Sequence, residues 1–417
     1  MNTIGLPQFF HALVAAVLVC SFASGNPQFF NRPQQVFNNI LSPIIPRSEC
    51  FTSSDNRAGL CMPRAACTTT GGIVAGNCGL LMACCIYQGT CRSVISANES
   101  YFVSPSYPAL QTERLNPPMC IFTLQRNNLV QKWPICQIRL DFDEFSLAPP
   151  RDGSCGQLTD SFVISGVTNF NSTGLPPNGL CGDLTGQHLY IDVDPLDTNE
   201  PLLLVVNTAN EELYNRKWSI RIQQIACQSP FRAPTGCLQY FTSNTGLVES
   251  LNFRGPSRAR PVVPNPAPGQ PIIPRSPNYF RNMNYGICIA QAPKMCGIRW
   301  IANEFDFGGL REGLSGVGYP NPAIDGSGCS IQRNVLSDRG DYIVIPSGSA
   351  DGRALTQDRF CGQRLSPTDG SSVNSAIVSF RKPFILYVNS DDIDDVTFSG
   401  PQNQKGFQLR WEQITCN

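Results

Sequence analysis

The apolar positions of this chain alternate with polar ones or form short apolar runs. These segments are rich in β-branched and aromatic residues and are bounded by Gly, Pro and Asn, which favours strands over helices. The clearest of them are residues 137–142, 161–164, 202–206, 219–225, 342–345, 384–388 and 407–414. No stretch combines a sustained 3.6-residue period with caps, as a helix would. The pattern therefore predicts an all-β chain.

Much of this pattern occurs twice. Cys136-Gln-Ile-Arg139 is matched by Cys296-Gly-Ile-Arg299, and a Glu-Phe pair follows each at the same distance. Three further matches keep the same order: Pro201–Asn207 with Pro383–Asn389, Ser219–Cys227 with Gln408–Cys416, and Cys181-Gly182 with Cys361-Gly362. Residues 91–227 and 237–416 are therefore predicted to be two copies of one domain, each with the strand number and turn spacing of an antiparallel sandwich.

Composition narrows the class of protein. The formal net charge is +0 and 15% of the residues are charged, so the basic excess that nucleic acid requires is missing. The same balance gives no support for an anionic membrane surface. The 19 Cys, 35 Gly and 34 Pro residues are typical of a loop-rich protein held by disulfides.

The first 49 residues carry two predictions. Residues 1–25 contain an apolar run that ends in Ala23-Ser24-Gly25, which predicts a signal peptide cleaved after Gly25. A transmembrane anchor is the alternative, although the run is shorter than a span of about 20 residues. Cys20 leaves with this segment, so eighteen of the 19 cysteines remain, the even number expected of a paired, secreted, extracellular protein without membrane insertion. Residues 26–49 are rich in Pro, Asn and Gln and predict a flexible arm.

Residues 50–90 contain six cysteines in a segment too small for an ordinary core, so bridges must hold it. Because neighbouring cysteines do not readily bridge each other, Cys84 and Cys85 need different partners. The spacing resembles the clip module that precedes arthropod serine proteases. That resemblance implies the pairs Cys50–Cys84, Cys61–Cys78 and Cys67–Cys85.

Both copies of the long repeat resemble the CUB family. In the first copy the motifs are Ser104-Pro-Ser-Tyr-Pro108, Phe142-x-x-Phe145-x-Leu147 and a block from Cys155 through Asp160 to Cys181-Gly182. In the second copy Cys329, Asp341–Ile345 and Cys361-Gly362 hold the matching places. The resemblance implies two jelly-roll-like antiparallel β-sandwiches after the small disulfide-rich module, with extracellular proteins or proteoglycans as partners.

The resemblance also implies two bridges in each copy: Cys91–Cys120 with Cys155–Cys181, and Cys237–Cys288 with Cys329–Cys361. One pair then remains in each copy, Cys136–Cys227 and Cys296–Cys416. In the first copy Cys136 starts one strand and Cys227 ends another. Such ends lie side by side in an antiparallel pair, so a third bridge is geometrically reasonable.

Residues 254–277 interrupt the second copy with an arginine-rich and then proline-rich insertion. Proline stiffens such a segment, which predicts an exposed loop. Three interpretations remain open for it: an inert spacer, a site of proteolytic cleavage and a ligand-docking segment.

Catalytic chemistry finds little support in the sequence. His188 is the one histidine that remains after removal of residues 1–25, and a Ser-His-Asp or Cys-His triad needs a histidine beside its nucleophile. The usual glycine-flanked serine motifs and phosphate-binding loops are missing, and the cysteines suit disulfides better than zinc. We expect no enzyme and no organic cofactor, with His188 a satisfied residue at the surface or a sheet edge.

Calcium is the one cofactor that the CUB resemblance raises. Calcium-binding members hold it with a Glu and two Asp residues, and Ca²⁺ requires several oxygen ligands. The matching places are Ala148, Asp160 and the turn 208–210 in the first copy. In the second copy they are Gly308, Asp341 and Asp391, with Glu312 nearby. The first copy is therefore expected to bind no calcium, whereas Asp341 and Asp391 are a candidate weak calcium site or a solvated acidic turn.

Two sequons, at Asn98 and Asn171, predict glycosylation in a secreted chain. Together these features predict a secreted, noncatalytic adaptor that binds extracellular proteins, in the setting of a protease cascade or of recognition. One alternative is a structural matrix or cuticle component, and a second is a protease inhibitor that uses the loop from Arg254 to Arg260. The sequence leaves the oligomeric state open.

Overall fold

The protein is described here from a computed structural model. The described residues are 49–126, 134–151, 153–156, 158–167, 173–196, 200–209, 214–255, 278–308, 341–353, 358–362, 364–368, 371, 373–391 and 405–416. The predicted signal peptide, nearly all of the predicted arm, the sequon at Asn171 and Cys329 lie outside them.

The cysteine-rich module (residues 49–87) is a four-stranded antiparallel sheet with one short helix. Its elements are β1 (Glu49–Phe51), β2 (Ala58–Pro63), α1 (Arg64–Thr69), β3 (Ile73–Asn77) and β4 (Met82–Ile86), and the sheet order is β1-β2-β4-β3. The sequence predicted no helix because α1 is too short to show a 3.6-residue period. Across the described residues no helix has the length and apolar character needed to cross a membrane.

The first repeat is a sandwich of two sheets. Its strands are β5 (Gln88–Gly89), β6 (Val94–Ile95), β7 (Glu99–Val103), β8 (Met119–Leu124), β9 (Ile135–Ser146), β10 (Ser161–Ser165), β11 (His188–Asp192), β12 (Leu202–Asn207) and β13 (Lys217–Ala226). The sheet orders are β10-β12-β8-β6 and β11-β9-β13-β7-β5. Two short edge strands, β5 and β6, pair in parallel with β7 and β8, and the other pairs are antiparallel.

The second repeat has the same plan. Its strands are β14 (Cys237–Phe241), β15 (Thr245–Glu249), β16 (Met283–Ile289), β17 (Met295–Asp306), β18 (Tyr342–Val344), β19 (Arg359–Phe360), β20 (Ile377–Ser379), β21 (Phe384–Ser390) and β22 (Gly406–Thr415). The sheet orders are β14-β16-β21-β18-β19 and β15-β22-β17-β20, with β14 parallel to β16. The β-sandwich architecture expected from the sequence is therefore confirmed over the described residues.

Alternation along the strands builds the core of each sandwich. In β12, Leu202, Leu204 and Val206 are buried while the residues between them are partly exposed. In each repeat a buried tryptophan lies on an inner strand of one sheet: Trp218 on β13 in the first repeat and Trp300 on β17 in the second. The buried apolar residues of both repeats form one continuous cluster.

Eight of the nine expected disulfides are formed in the structure. They are Cys50–Cys84, Cys61–Cys78, Cys67–Cys85, Cys91–Cys120, Cys136–Cys227, Cys155–Cys181, Cys237–Cys288 and Cys296–Cys416. The ninth expected pair includes Cys329, which is outside the described residues. The bridge between Cys136 and Cys227 joins the start of β9 to the end of β13. The bridge between Cys296 and Cys416 joins the start of β17 to the end of β22.

Candidate functional site: the Asp341 cluster and the seam between the repeats

Asp341 lies just before β18 and is buried. Its Oδ2 accepts a hydrogen bond from the hydroxyl of Tyr279 at 2.8 Å, and its Oδ1 accepts one from the backbone N–H of Asp391 at 2.8 Å. The Tyr279 oxygen also accepts the N–H of Gly308 at 3.2 Å. The structure thus brings together the three positions that the sequence matched in the second repeat. We call Tyr279, Gly308, Asp341 and Asp391 the Asp341 cluster.

The hydroxyl of Tyr279 stays a donor at neutral pH. Burial, together with the negative charge of Asp341, raises the pKa of Tyr279 well above its usual value. Its ring packs on Phe307 at 4.3 Å between centroids, which fixes the direction of the hydroxyl. Two hydrogen bonds, from the Tyr279 hydroxyl and from the Asp391 N–H, therefore fix the position of the Asp341 carboxylate.

The equivalent place in the first repeat contains a cation supplied by the protein. Asp160 is fully buried, and Arg216 donates to it from Nε at 2.7 Å and from Nη2 at 2.9 Å. The N–H groups of Ala148 and Ala209 donate to the same carboxylate, each at 2.9 Å. The three positions matched in the first repeat therefore converge, and the Arg216 guanidinium supplies positive charge there.

Sequence reasoning missed Arg216, although the repeat carried a signal. Counting back from the matched ends Ser219 and Gln408, Arg216 aligns with Lys405. Lys405 binds Glu304 instead, with Nζ to Oε2 at 2.6 Å, and lies 4.4 Å from the ring centroid of Phe253. In the second repeat the equivalent cation, Lys405, therefore binds the exposed Glu304, and Asp341 accepts a hydrogen bond from Tyr279 instead.

The donor set limits what the Asp341 cluster can hold. Ca²⁺ takes six to eight oxygen ligands, whereas the cluster offers the carboxylate of Asp341, has Gly308 in place of a Glu, and uses the backbone N–H of Asp391. Glu312 and residues 392–395 are outside the described residues. Among the described residues, the one group of three close metal-ligand side chains is Cys50, Cys61 and Cys78, and their sulfurs are in disulfides.

Hydrogen bonds between side chains of one repeat and backbone groups of the other join the two sandwiches, and we call this contact region the seam. Among its cross-repeat hydrogen bonds are Gln187 Nε2 to Ser250 O and the Asp183 N–H to Asn252 Oδ1, and Gln137 of the first repeat binds both the N–H and the carbonyl of Ala233 in the connection between the repeats. Asn252 in turn donates to the carbonyl of Asn278, the neighbour of Tyr279. The seam therefore adjoins the Asp341 cluster, and both repeats contribute to this region.

His188 also contributes to the seam. Its Nε2 lies 3.1 Å from both the backbone N and the backbone O of Tyr240, and the rings of Tyr190 and Phe241 meet it edge-on. Burial, with the positive charge of Arg139, lowers the pKa of His188 to about 4. The expected position at a sheet edge is confirmed, because β11 is the outer strand of its sheet, but exposure at the surface is wrong: His188 is buried because β14 of the second repeat packs on β11.

Close approach of the two repeats depends on glycine at the seam. Gly182 has φ +73°, and a Cβ there would lie 2.1 Å from Oδ1 of Asn252. Gly174 has φ +71°, and a Cβ there would lie 1.8 Å from the carbonyl oxygen of Asn284. Both positions need the left-handed backbone and the empty space that glycine provides.

The cysteine-rich module is fixed to the first sandwich through Arg57. The guanidinium lies 5.1 Å from the ring centroid of Tyr101 and 4.9 Å from that of Tyr107, and it binds Asp55 at 2.6 Å. The Tyr101 hydroxyl donates to the carbonyl of Ala58 at 3.0 Å. Tyr107 belongs to the motif matched at the start of the first repeat, so the module covers that part of the sandwich.

Arg254, the first arginine of the candidate inhibitor loop, is engaged by its own chain. Its Nε and Nη2 donate to the carboxylate of Glu249, with distances of 2.9 to 3.1 Å. A protease that recognises arginine would have to compete with this bidentate pair. The later arginines of the loop, Arg258 and Arg260, lie outside the described residues.

Asn98 is exposed just before β7, as a glycosylated asparagine must be. We expect the protein from eukaryotic secretion to lose mass on treatment with peptide-N-glycosidase, at a peptide that contains Asn98. Ser100→Ala is a sharp control because it removes the sequon without altering Asn98, and the Ser100 hydroxyl is buried without a hydrogen-bond partner. An unmodified Asn98 peptide from the secreted wild type would contradict the prediction.

Comparison with known proteins gives similar solved structures and a family match. No curated protein matches the chain. Among solved structures, the CUB1-EGF-CUB2 domains of rat MASP-1 share 12% identity, with 77% of this chain and 99% of that chain covered and a TM-score of 0.22. The corresponding human MASP-1/3 structure shares 14% identity, with 76% and 100% covered and a TM-score of 0.20.

The full extracellular region of zebrafish Gpr126/Adgrg6 shares 14% identity, with 79% of this chain and 37% of that chain covered and a TM-score of 0.24. The match to a family model is confined to residues 234–414 and carries the description "Animal CUB domain". The matched range begins just before β14 and ends within β22, so it spans the second sandwich.

Proposed function

We propose that the protein is a secreted, noncatalytic adaptor whose two coupled sandwiches form one platform for extracellular proteins or proteoglycans. The observation that carries the proposal is the seam, because it joins the loops of both repeats beside the Asp341 cluster. Loops on a rigid sandwich are well suited to recognition. CUB domains are extracellular protein-interaction modules, and the match over residues 234–414 supports that role here.

The disposition of the ionisable groups supports a noncatalytic role. His188 contacts backbone and aromatic rings in the seam, whereas a general base needs a nucleophile within hydrogen-bond reach. Asp160 is neutralised by Arg216 in a buried pair. Both groups stabilise the fold in the arrangement observed, which leaves the surface loops to provide function.

A structural matrix or cuticle component is the first alternative, because disulfide-rich sandwiches also suit a durable matrix. The protease-inhibitor alternative is weakened at Arg254 by its pairing with Glu249. The two alternatives predict different behaviour. A matrix protein would be abundant and insoluble, whereas an inhibitor would be cleaved after an arginine and would retain the protease.

Capture from the native extracellular fluid tests the adaptor proposal. Immobilised residues 26–417 are expected to retain a small set of proteins, and the same protein after reduction and alkylation is the control. Parallel arms contain calcium or a chelator. Release of partners by chelator that is lost in Asp341→Ala would assign calcium to the Asp341 cluster. Retention in both arms would assign Asp341 a structural role, since its carboxylate is buried rather than solvated.

A further inference from the structure

The loop between β3 and β4 presents two adjacent leucines to solvent. Leu80 is 92% exposed and Leu81 is 84% exposed. We call residues 79–81 the leucine tip. A backbone hydrogen bond from the Cys78 N–H to the carbonyl of Met82 closes the turn beneath it. Scattered single leucines are common on protein surfaces, but an adjacent pair at the end of a rigid turn is not explained by the fold.

The tip is held rigidly by covalent bonds on both sides. Cys78, directly before it, is bridged to Cys61, and Cys84 and Cys85, soon after it, are bridged to Cys50 and Cys67. The backbone of so constrained a turn loses little conformational entropy when a partner covers it. The leucines are therefore presented for binding at low entropic cost.

The backbone of the tip is held in an unfavourable conformation. Leu81 has φ +65°, which is unusual for a bulky residue, and Gly79 has φ +119°. Strained residues of this kind cluster at functional sites, where the surrounding structure enforces them. Here the residue with positive φ is a leucine whose side chain is 84% exposed.

The tip lies at the end of the module that faces away from the first sandwich. The module contacts that sandwich through Arg57 and Ala58, at the start of β2, and through Tyr87, just after β4, whose carbonyl accepts the N–H of Tyr101. Because β4 runs antiparallel to β2, Met82 lies at the opposite end, paired with Pro63. The five residues of β4 span about 16 Å, so the tip is separated from this contact by the length of the sheet.

Charge is nearly missing from this part of the chain. Between residues 58 and 98 the charged residues are two arginines, Arg64 and Arg92, and there is no acidic residue. Arg64 is exposed at the start of α1, which follows Pro63 directly, and it donates from Nη2 to Oδ1 of Asn77 at 2.7 Å. Depletion of charge around apolar side chains is a mark of interface cores, since there is little to desolvate.

We propose that the leucine tip inserts into an apolar cleft of a partner protein, with Arg64 facing a carboxylate on the rim of that cleft. This inference rests on the proposed adaptor function and names the surface that makes one of its contacts. A lipid surface fits less well, because even a single myristoyl chain gives only marginal binding and the tip has one cation beside it. The partner therefore provides a cleft that accepts two leucine side chains and a carboxylate beside it that faces Arg64.

Site-specific photocrosslinking tests the inference. A photoreactive amino acid replaces Leu80 in residues 26–417, and the protein is irradiated in the extracellular fluid with phosphatidylcholine vesicles present. The matched control places the same group at Leu196, which is 89% exposed on a loop of the first sandwich. We expect adducts from position 80 on a discrete protein, mapped to an apolar segment with a nearby Asp or Glu, and no such adduct from position 196.

A second variant measures the contribution of the tip to binding. Leu80→Ser with Leu81→Asn keeps the turn, because Asn tolerates positive φ. It is expected to weaken retention of the crosslinked protein by about 100-fold, since two buried leucines are lost. Leu196→Ser is expected to leave retention unchanged.

Three outcomes would overturn the inference. Equal adducts from positions 80 and 196, adducts on lipid alone, or unchanged retention by the double tip variant would each contradict it. If the wild type still captures specific proteins in those cases, the adaptor function stands without the tip. If the wild type captures nothing beyond the reduced control, the adaptor function fails as well.

Discussion

Replacing Arg216 by Met is expected to destabilise the protein by about 3–5 kcal/mol, the cost of leaving one partner of a buried ion pair alone. Arg216 is 1% exposed and Asp160 is fully buried. The substitution keeps most of the side-chain volume and removes the charge, so Asp160 would remain buried with only its bonds to Ala148 and Ala209. The free energy of unfolding from denaturant titration measures the loss.

The second repeat provides the matched control. Lys405 aligns with Arg216, but its pair with Glu304 is at the surface, with side chains 38% and 52% exposed. Lys405→Met is expected to cost less than about 1 kcal/mol. Asp160→Ala combined with Arg216→Met should be less destabilised than the sum of the single variants, because no unpaired charge remains. Equal losses for Arg216→Met and Lys405→Met would show that the buried pair has no special role.

Acidification is expected to weaken the fold through His188. Its pKa is lowered to about 4 in the folded protein, from an ordinary value near 6.5. The stability that neutral His188 contributes is therefore present above about pH 6.5. It is lost as the pH falls, because the unfolded chain binds the proton first, and the total loss by pH 4 is on the order of 3 kcal/mol.

Neighbouring charged groups also affect the pKa of His188. Arg139 disfavours the protonated ring, whereas Asp141 favours it. The Nε2 atom lies near a donor and an acceptor of Tyr240, so a protonated ring would still bond the carbonyl but would meet the N–H with like polarity. Loss of this contact would weaken the seam, since β11 and β14 meet there.

The effect can be isolated because residues 26–417 contain one histidine. The NMR signal of that histidine should titrate near pH 4 in the folded protein, and His188→Gln should flatten the dependence of stability on pH between 6.5 and 5. Asp55, whose pKa is lowered through its bonds to Thr52 and Arg57, loses its contribution at lower pH. A histidine signal that titrates near pH 6.5 in the folded state would contradict the buried position.

The strands could be predicted from the sequence because each depends on its own local pattern. The runs at Leu202 and Phe384 alternate or stay apolar over the lengths of β12 and β21. The cysteine pairs followed from the repeat and from family resemblance, both readable along the chain. The short helix α1 and the parallel pairing of β14 with β16 left no such periodic signal.

The candidate site was less predictable, because its partners are chosen across space. The repeat aligns Arg216 with Lys405, yet one turns into the buried carboxylate and the other to a surface glutamate. Position along the chain does not distinguish them. The burial of His188 depends on docking between the repeats, and the place of Arg57 between Tyr101 and Tyr107 depends on docking of the module.

Capture by the native protein, compared with its reduced and alkylated form, tests the adaptor function most directly. The account predicts that mass spectrometry finds a few extracellular proteins retained in defined ratios by native residues 26–417 and not by the reduced form, because binding requires folded loops. The same proteins retained by both forms would contradict it. So would recovery of the endogenous protein in the insoluble matrix fraction alone, which would favour the structural alternative.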